Sequence, residues 1–95
     1  MYRVKMTTAY KKGYKRMAKR GKDMSLLEDV VEMLRKGETL DPETYDVHKL
    51  SGKKAGFYDC HIAPDWVLVY LIEDDILTLT LSDTGTHQDM KGWGY

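Results

Sequence analysis

Two segments near the start of the chain repeat their apolar side chains at the spacing of an amphipathic helix. The first stripe has positions i, i+4, i+7 and i+8 and consists of Tyr10, Tyr14, Met17 and Ala18. The second stripe consists of Leu27, Val30, Val31 and Leu34. Gly21 and Gly37 follow the two stripes, where glycine commonly ends a helix. We therefore predict a helical hairpin, preceded by a short strand from Tyr2 to Lys5.

Local signals mark the start of the second helix, and a polar stretch follows its end. Asp23 is a candidate N-cap, and Ser25 with Glu28 has the spacing of a capping box. The stretch from Glu38 to Lys49 contains Pro42 and four acidic residues. This composition predicts a loop.

From Gly56 onward the pattern changes to alternation, the period of a β-strand. One set of alternating side chains comprises Phe57, Asp59 and His61, and the other comprises Tyr58, Cys60 and Ile62. The apolar run from Trp66 to Ile72 is typical of a central strand. Leucine alternates with threonine from Ile76 to Leu81, so we expect the core to contain Leu77, Leu79 and Leu81.

The order of these elements predicts the fold class. Turn residues at Pro64–Asp65 and at 73–75 separate the three strands, so the strands form an antiparallel meander. Helices followed by strands predict an α+β fold, with two N-terminal helices packed on one face of a small antiparallel sheet. A length of 95 residues suits one domain, which we expect to cover residues 1–95.

Composition adds an expected location and a charge asymmetry. No apolar run approaches the ~20 residues of a membrane helix. Since the chain has one cysteine, Cys60, and no apolar leader, we expect a cytoplasmic protein without a membrane partner. The net charge is zero, yet nine lysines and arginines and no acid lie between Arg3 and Lys22. This basic segment indicates either a polyanionic partner or a solvated helix face.

The three histidines lie in the second half of the chain. His48 ends the acidic loop, His61 precedes the first strand turn, and His87 follows the third strand. In an antiparallel meander, the end of the first strand, the start of the second and the end of the third lie at the same end of the sheet. We therefore expect His61, Asp65 and His87 to converge at one end of the sheet.

Histidines beside an aspartate suit metal-free RNA cleavage. That reaction needs a base that removes the 2′-hydroxyl proton, an acid that protonates the leaving 5′-oxygen, and cations near the phosphorus. Imidazole suits both proton transfers because its unperturbed pKa is about 6.5. The rival chemistries are a zinc site with Asp65 and Cys60, and a Cys60 nucleophile. No histidine pair has the spacing of a helical zinc motif, and Cys60 alternates away from His61. We expect no metal or other cofactor.

Three stretches of the second half resemble signature segments of YafQ toxins, a branch of the bacterial RelE-type toxin superfamily. The main stretch is Gly56 to Tyr70 (GFYDCHIAPDWVLVY), and the others are His48 to Gly52 and Thr84 to His87. The helical hairpin in front agrees in order and length, so the resemblance covers nearly the whole chain. It implies the toxin of a type II toxin–antitoxin pair, a ribosome-dependent endonuclease that cuts mRNA in the A site through the 2′-hydroxyl.

The resemblance also implies site residues and partners. Carried over by position, the family's functional residues are His48, His61, Asp65 and His87, with Trp66 as an RNA contact. His87 is then the general acid, and the other three share the base and phosphate-positioning roles. Trp66 fits an ordinary core aromatic as well. The implied partners are a cognate antitoxin, the ribosome with its mRNA, and ribosomal RNA for the basic first helix.

Two positions depart from the family pattern. Tyr58 stands where the family commonly has an arginine, so Lys53, Lys54 or Lys91 would have to supply the phosphate-binding cation. Lys91 itself replaces a usual phenylalanine, and Trp93 is the candidate for the missing aromatic surface. Two alternatives therefore stay open: a non-catalytic module that binds its antitoxin and represses transcription, and a ribosome-independent ribonuclease.

Overall fold

A computed structural model describes residues 1–95 as three α-helices and a five-stranded sheet. The elements in chain order are β1 (Arg3–Met6), α1 (Thr8–Lys19), α2 (Met24–Arg35), α3 (Pro42–Tyr45), β2 (His48–Lys49), β3 (Phe57–Ala63), β4 (Trp66–Glu73) and β5 (Thr78–Gly85). The strand order is β1-β5-β4-β3-β2, with β1 parallel to β5 and the other pairs antiparallel. The predicted α+β class, the meander and the first short strand are confirmed.

The predicted helix boundaries rest on local side-chain and backbone geometry. Asp23 caps α2 by accepting a 3.1 Å hydrogen bond from the backbone N–H of Ser25. The proposed capping box is wrong because Ser25 already lies inside the helix, and Glu28 instead accepts a hydrogen bond from the Tyr14 hydroxyl. Gly21 and Gly37 follow α1 and α2 with φ of +80° and +81°, a left-handed conformation that glycine adopts without steric cost.

The main core lies between the helices and one face of the sheet. Its helical residues are Tyr10, Met17, Leu27, Val30 and Leu34, and its strand residues are Cys60, Trp66, Leu68, Tyr70, Leu79 and Leu81. Ala18 is exposed, contrary to the predicted stripe, and Gly13 is buried instead. A Cβ on Gly13 would lie 2.1 Å from the backbone oxygen of Thr84, so only glycine lets α1 approach β5 this closely.

A smaller apolar cluster covers the opposite face of the sheet. Val67 and Val69 of β4 pack there against Met90, which belongs to the segment after β5. Strand β4 is thus buried on both faces, which explains its nearly continuous apolar sequence. The segment after β5 therefore covers the same sheet face on which His61 lies.

Two details of the predicted elements were wrong. Leu77 was predicted to lie in the core, but it is 57% exposed and left-handed at φ 47°, because β5 begins only at Thr78 and Leu77 still belongs to the preceding turn. The predicted loop from Glu38 to Lys49 contains the short helix α3 and the short strand β2. None of the helices has the length and apolar character needed to cross a membrane.

Candidate active site

Three of the predicted site residues meet at one end of the sheet. His61 lies near the end of β3, Asp65 in the turn to β4, and His87 just after β5. Nε2 of His61 lies 3.2 Å from Nε2 of His87. Asp65 Oδ1 lies 2.7 Å from Nδ1 of His87 and accepts a 3.1 Å bond from its backbone N–H. The predicted convergence of these side chains is therefore present in the fold.

A buried hydrogen-bond pair aligns the segments that carry Asp65 and His87. The indole Nε1–H of Trp66 donates to Oγ1 of Thr84 at 3.0 Å, and that hydroxyl donates to the Val67 carbonyl at 2.8 Å. Both Trp66 and Thr84 are fully enclosed. The prediction that Trp66 contacts RNA is wrong, because its ring lies in the main core at 1% exposure.

The loop that carries His87 is held by Asp89. The Arg20 guanidinium donates to Asp89 at 2.7 and 3.1 Å, which links the loop to the end of α1. Asp89 Oδ2 accepts from the Thr86 backbone N–H, and the Thr86 hydroxyl accepts from the Asp89 N–H. The Arg20 hydrogen bond holds the pKa of Asp89 far below its usual range. Gly85 is required here because a Cβ would lie 2.9 Å from Cβ of Asp89.

His48 reaches the site through strand pairing that the sequence pattern did not predict. Strand β2 places it opposite Asp59 of β3, and Nδ1 of His48 lies 3.1 Å from Asp59 Oδ1. Asp46 lies between two of the histidines, with Oδ1 3.3 Å from Nε2 of His48 and Oδ2 3.2 Å from Nδ1 of His61. The second contact has an ion-pair distance without hydrogen-bond geometry, so Nδ1 of His61 has no hydrogen-bond partner.

Three residues of this cluster were missed from the sequence. Asp46 adopts the left-handed conformation at φ 47°, which aspartate tolerates better than most residues, and no periodic pattern reveals it. Asp59 is buried at 3% exposure, and its alternation with His61 on β3 was the available signal. Tyr95 donates its hydroxyl to Asp59 Oδ2, and its ring packs edge-on against His87. An aromatic residue in a glycine-rich segment was the only hint of it.

The electrostatics of the cluster define the orientation of His87. Hydrogen bonds from the backbone and ring of His87 hold the pKa of Asp65 below its ordinary value. An ionised Asp65 makes Nδ1 of His87 the donor, which leaves Nε2 facing His61. The side chain of His61 is 19% exposed and that of His87 is 40% exposed, so a bound molecule can reach the pair.

Comparison with known proteins identifies the family. The family model described as "Bacterial toxin of type II toxin-antitoxin system, YafQ" matches residues 2–92. The chain belongs to the YafQ toxin family. The mRNA interferase toxin YafQ of Escherichia coli K12 is 34% identical over 89 residues, which are 94% of this chain and 95% of that protein.

Solved structures agree with the YafQ assignment. The E. coli DinJ–YafQ complex has a chain with TM-score 0.86 and 30% identity, covering 95% of this chain and 98% of that one. A copper-bound mutant toxin from Helicobacter pylori also has TM-score 0.86, with 37% identity over 95% of this chain and 99% of that one. The predicted fold and toxin family are confirmed. The E. coli relatives are named mRNA interferase toxins, and an mRNA interferase is an endoribonuclease.

The departures from the YafQ pattern have structural explanations. Tyr58 stacks on Tyr70, with ring centroids 5.6 Å apart, on the helix-covered face and so away from the histidines. Trp93 packs on Phe57 and lies beneath Lys54, whose Nζ also donates to the Gly92 carbonyl. Trp93 thus contributes to packing, and Tyr95 rather than Trp93 is the aromatic beside His87.

The site residues do not form a complete metal-ligand set. His61 and His87 offer two adjacent imidazole nitrogens, but no group of three or more histidine, cysteine or acidic side chains has the spacing of a metal site. Cys60 is buried on the opposite face of β3, where burial raises its thiol pKa to about 12.

Proposed function

We propose that this YafQ-family toxin cleaves messenger RNA in the ribosomal A site by general acid–base catalysis without a metal. His87 is the general acid, and His48, His61 and Asp65 share the base and phosphate-positioning roles. The observation that carries the proposal is the 3.2 Å contact between the Nε2 atoms of His61 and His87, with Asp65 on the other ring nitrogen of His87.

The contact between the two rings pairs a proton donor with an acceptor. A hydrogen bond between two Nε2 atoms requires that one ring carries the proton and the other accepts it. Asp65 lies on Nδ1 of His87, and Asp46 lies beside Nδ1 of His61. Asp65 is hydrogen-bonded to Nδ1 of His87, whereas Nδ1 of His61 has no hydrogen-bond partner, so we assign the donor role to His87 and the accepting role within the pair to His61. The pair then holds an acid and a base side by side.

This pair matches the proton transfers of RNA cleavage by the 2′-hydroxyl. A base removes the 2′ proton as the 2′-oxygen bonds to phosphorus. The P–O5′ bond then breaks, and the acid protonates the 5′-oxygen, leaving a 2′,3′-cyclic phosphate and a 5′-hydroxyl. General acid–base catalysis of this kind contributes roughly 10²–10⁴ in rate for each group.

The phosphate-binding cation is proposed to come from lysines in the segments before β3 and after β5. Lys53 and Lys91 are exposed, whereas Lys54 is held by Gly92 and Trp93. We therefore expect Lys53 and Lys91 to contact the phosphate backbone, and Lys54 with Trp93 to support that surface.

The first experiment is induced expression in a bacterial host, with primer extension on a translated reporter mRNA and on an untranslated copy. We expect cuts at fixed codon positions in the translated copy alone, lost in His87→Ala. Gln88→Ala is the matched control, because Gln88 is exposed beside His87 and no hydrogen bond joins its side chain to the cluster. Circular dichroism checks that both variants are folded.

Each alternative has its own outcome in this experiment. Equal cutting of the untranslated copy would identify a ribosome-independent ribonuclease. A folded toxin that neither cuts nor arrests growth would be the non-catalytic antitoxin-binding module. Undiminished cutting by His87→Ala would refute the assigned acid.

The proposed ribosomal partner is supported by the charge of α1. Its exposed basic residues are Lys11, Lys12, Lys15, Arg16 and Lys19, and the helix contains no acid. Polyanion binding through such a surface weakens steeply with salt. We expect Lys11→Glu with Lys15→Glu to reduce co-sedimentation with ribosomes, and Lys36→Glu, outside α1, to leave it unchanged.

The proposed protein partner is a cognate antitoxin. The E. coli YafQ chain was solved in complex with DinJ, and this chain matches it over 95% of its length. We expect the product of a short neighbouring gene to co-purify with this toxin and to restore growth on co-expression. Persistent growth arrest in that strain would contradict the pairing.

A further inference from the structure

Tyr95 touches the histidine cluster at two points. Its hydroxyl donates to Oδ2 of Asp59, and its ring lies edge-on to His87, with centroids 5.0 Å apart and an interplanar angle of 78°. The residue is 38% exposed and belongs to neither apolar cluster. Its contacts are therefore directed at the site rather than at the core.

Asp59 connects Tyr95 to His48. Its carboxylate is buried, and a buried carboxylate requires hydrogen-bond donors. Oδ2 receives the Tyr95 hydroxyl, and Oδ1 lies 3.1 Å from Nδ1 of His48. Tyr95, Asp59 and His48 are thus linked in series, so the orientation of the carboxylate determines the orientation of the imidazole.

The segment that carries Tyr95 is anchored two residues earlier. The Trp93 indole donates to Asp83 Oδ2 at 3.0 Å, and its ring packs edge-on against Phe57. Burial, and then the hydrogen bond to Asp59, raises the pKa of the Tyr95 phenol far above its ordinary value. The phenol therefore remains a proton donor to Asp59 throughout the neutral range.

We propose that Tyr95 is a positioning residue for RNA cleavage: its hydroxyl orients Asp59 and through it His48, while its ring holds His87 in place. This proposal rests on the roles proposed above for His48 and His87. It assigns the hydroxyl and the ring of one side chain to two different histidines, so the two effects can be separated by substitution.

The test compares Tyr95→Phe and Tyr95→Ala with the wild type. The matched control is Tyr2→Phe, which removes another hydroxyl bound to a carboxylate, that of Asp74, at a distance from the site. The first readout is NMR of the histidine rings in the free protein. We expect Tyr95→Phe to shift the His48 signals and to preserve the ring-current shift of His87. Tyr95→Ala should change both, and Tyr2→Phe neither.

The second readout is single-turnover cleavage of mRNA on programmed ribosomes, measured against pH and ribosome concentration. We expect Tyr95→Phe to lower the maximal rate roughly tenfold, as for loss of one hydrogen bond to a charged group. The ribosome concentration at half-maximal rate should not change, and the pH profile should move. Tyr2→Phe should match the wild type.

Contrary results separate this proposal from the proposed function. A wild-type rate and pH profile in Tyr95→Phe would overturn the positioning role. A faster Tyr95→Ala would also overturn it and would make Tyr95 a cover over the site. A folded wild type that fails to cleave on ribosomes would refute the proposed function, and unshifted His48 signals in Tyr95→Phe would refute the linkage independently.

Discussion

Replacing Thr84 by valine removes one hydroxyl that serves two buried groups. That hydroxyl accepts from the Trp66 indole at 3.0 Å and donates to the Val67 carbonyl at 2.8 Å, and Thr84 is fully buried. Valine has nearly the same shape, so Thr84→Val leaves the packing and deletes the hydrogen bonds. The indole N–H then has no acceptor, and water cannot reach it.

The expected cost follows from the hydrogen bonds that are lost. The indole N–H and the Val67 carbonyl each lose one buried hydrogen bond, and an unpaired buried group costs about 1–3 kcal/mol, so we expect a loss of about 3 kcal/mol. The matched variant Thr84→Ser keeps the hydroxyl and deletes the methyl group that faces Gly13. A deleted methyl costs about 1 kcal/mol. At about 4–8 °C per kcal/mol for a domain of this size, Thr84→Val should lose on the order of 15 °C in Tm.

Urea unfolding followed by circular dichroism measures both variants. We expect unchanged m-values and a free energy of unfolding that falls in the order wild type, Thr84→Ser, Thr84→Val. Residual folded Thr84→Val should also cleave more slowly, because the hydroxyl aligns the segments that carry Asp65 and His87. The reverse order, with serine worse than valine, would show that the methyl contact with α1 matters more than the hydroxyl.

Other perturbations test the same packing at different points. Because Arg20 holds the pKa of Asp89 low, this pair stabilises the fold fully above the ordinary aspartate pKa of about 3.9 and progressively less as pH falls towards the folded-state value. Arg20 is 43% exposed, so Asp89→Asn should lower the free energy of unfolding by only about 1 kcal/mol at neutral pH. The difference from the wild type should be smaller in acid. An equal difference at both pH values would contradict this reasoning. Gly13→Ala should destabilise by about 2 kcal/mol in urea unfolding, since its Cβ would lie 2.1 Å from the Thr84 oxygen; a more stable variant would mean that α1 moves freely. Cys60, with a pKa raised to about 12, should resist a thiol reagent at mildly alkaline pH until the protein unfolds, and rapid labelling of folded protein would count against its burial.

The motifs that pointed to RNA chemistry divide into structural and site residues. Within the Thr84–His87 stretch, Thr84 and Gly85 serve packing, and Thr86 holds the turn against Asp89. Only His87 reaches the cluster. Trp66 illustrates the same distinction, because an aromatic beside a site residue is buried whenever its strand position faces the core.

Periodicity along the chain was enough to predict the helices, the three meander strands and the meeting of His61, Asp65 and His87. Those features depend on short-range geometry. This geometry comprises the periodicity of a helix, the alternation of side chains along a strand, and the meeting of consecutive antiparallel strands at one end of the sheet. The same reasoning failed at Leu77, where a turn extends one residue further than the alternation of leucine and threonine indicates.

Only the tertiary structure decided how distant segments complete the site. The pairing of β2 with β3 brings His48 to Asp59, and the left-handed backbone of Asp46 directs its carboxylate towards two histidines. The segment after β5 carries Tyr95 back across the sheet. These contacts join residues that lie far apart in sequence or in irregular backbone, where no periodic pattern exists to be read. The amino-acid sequence by itself determined which elements form and which proton-transfer groups are present, because both are local properties. Their mutual geometry depends on how the whole chain closes around its core, and that only the folded structure decided.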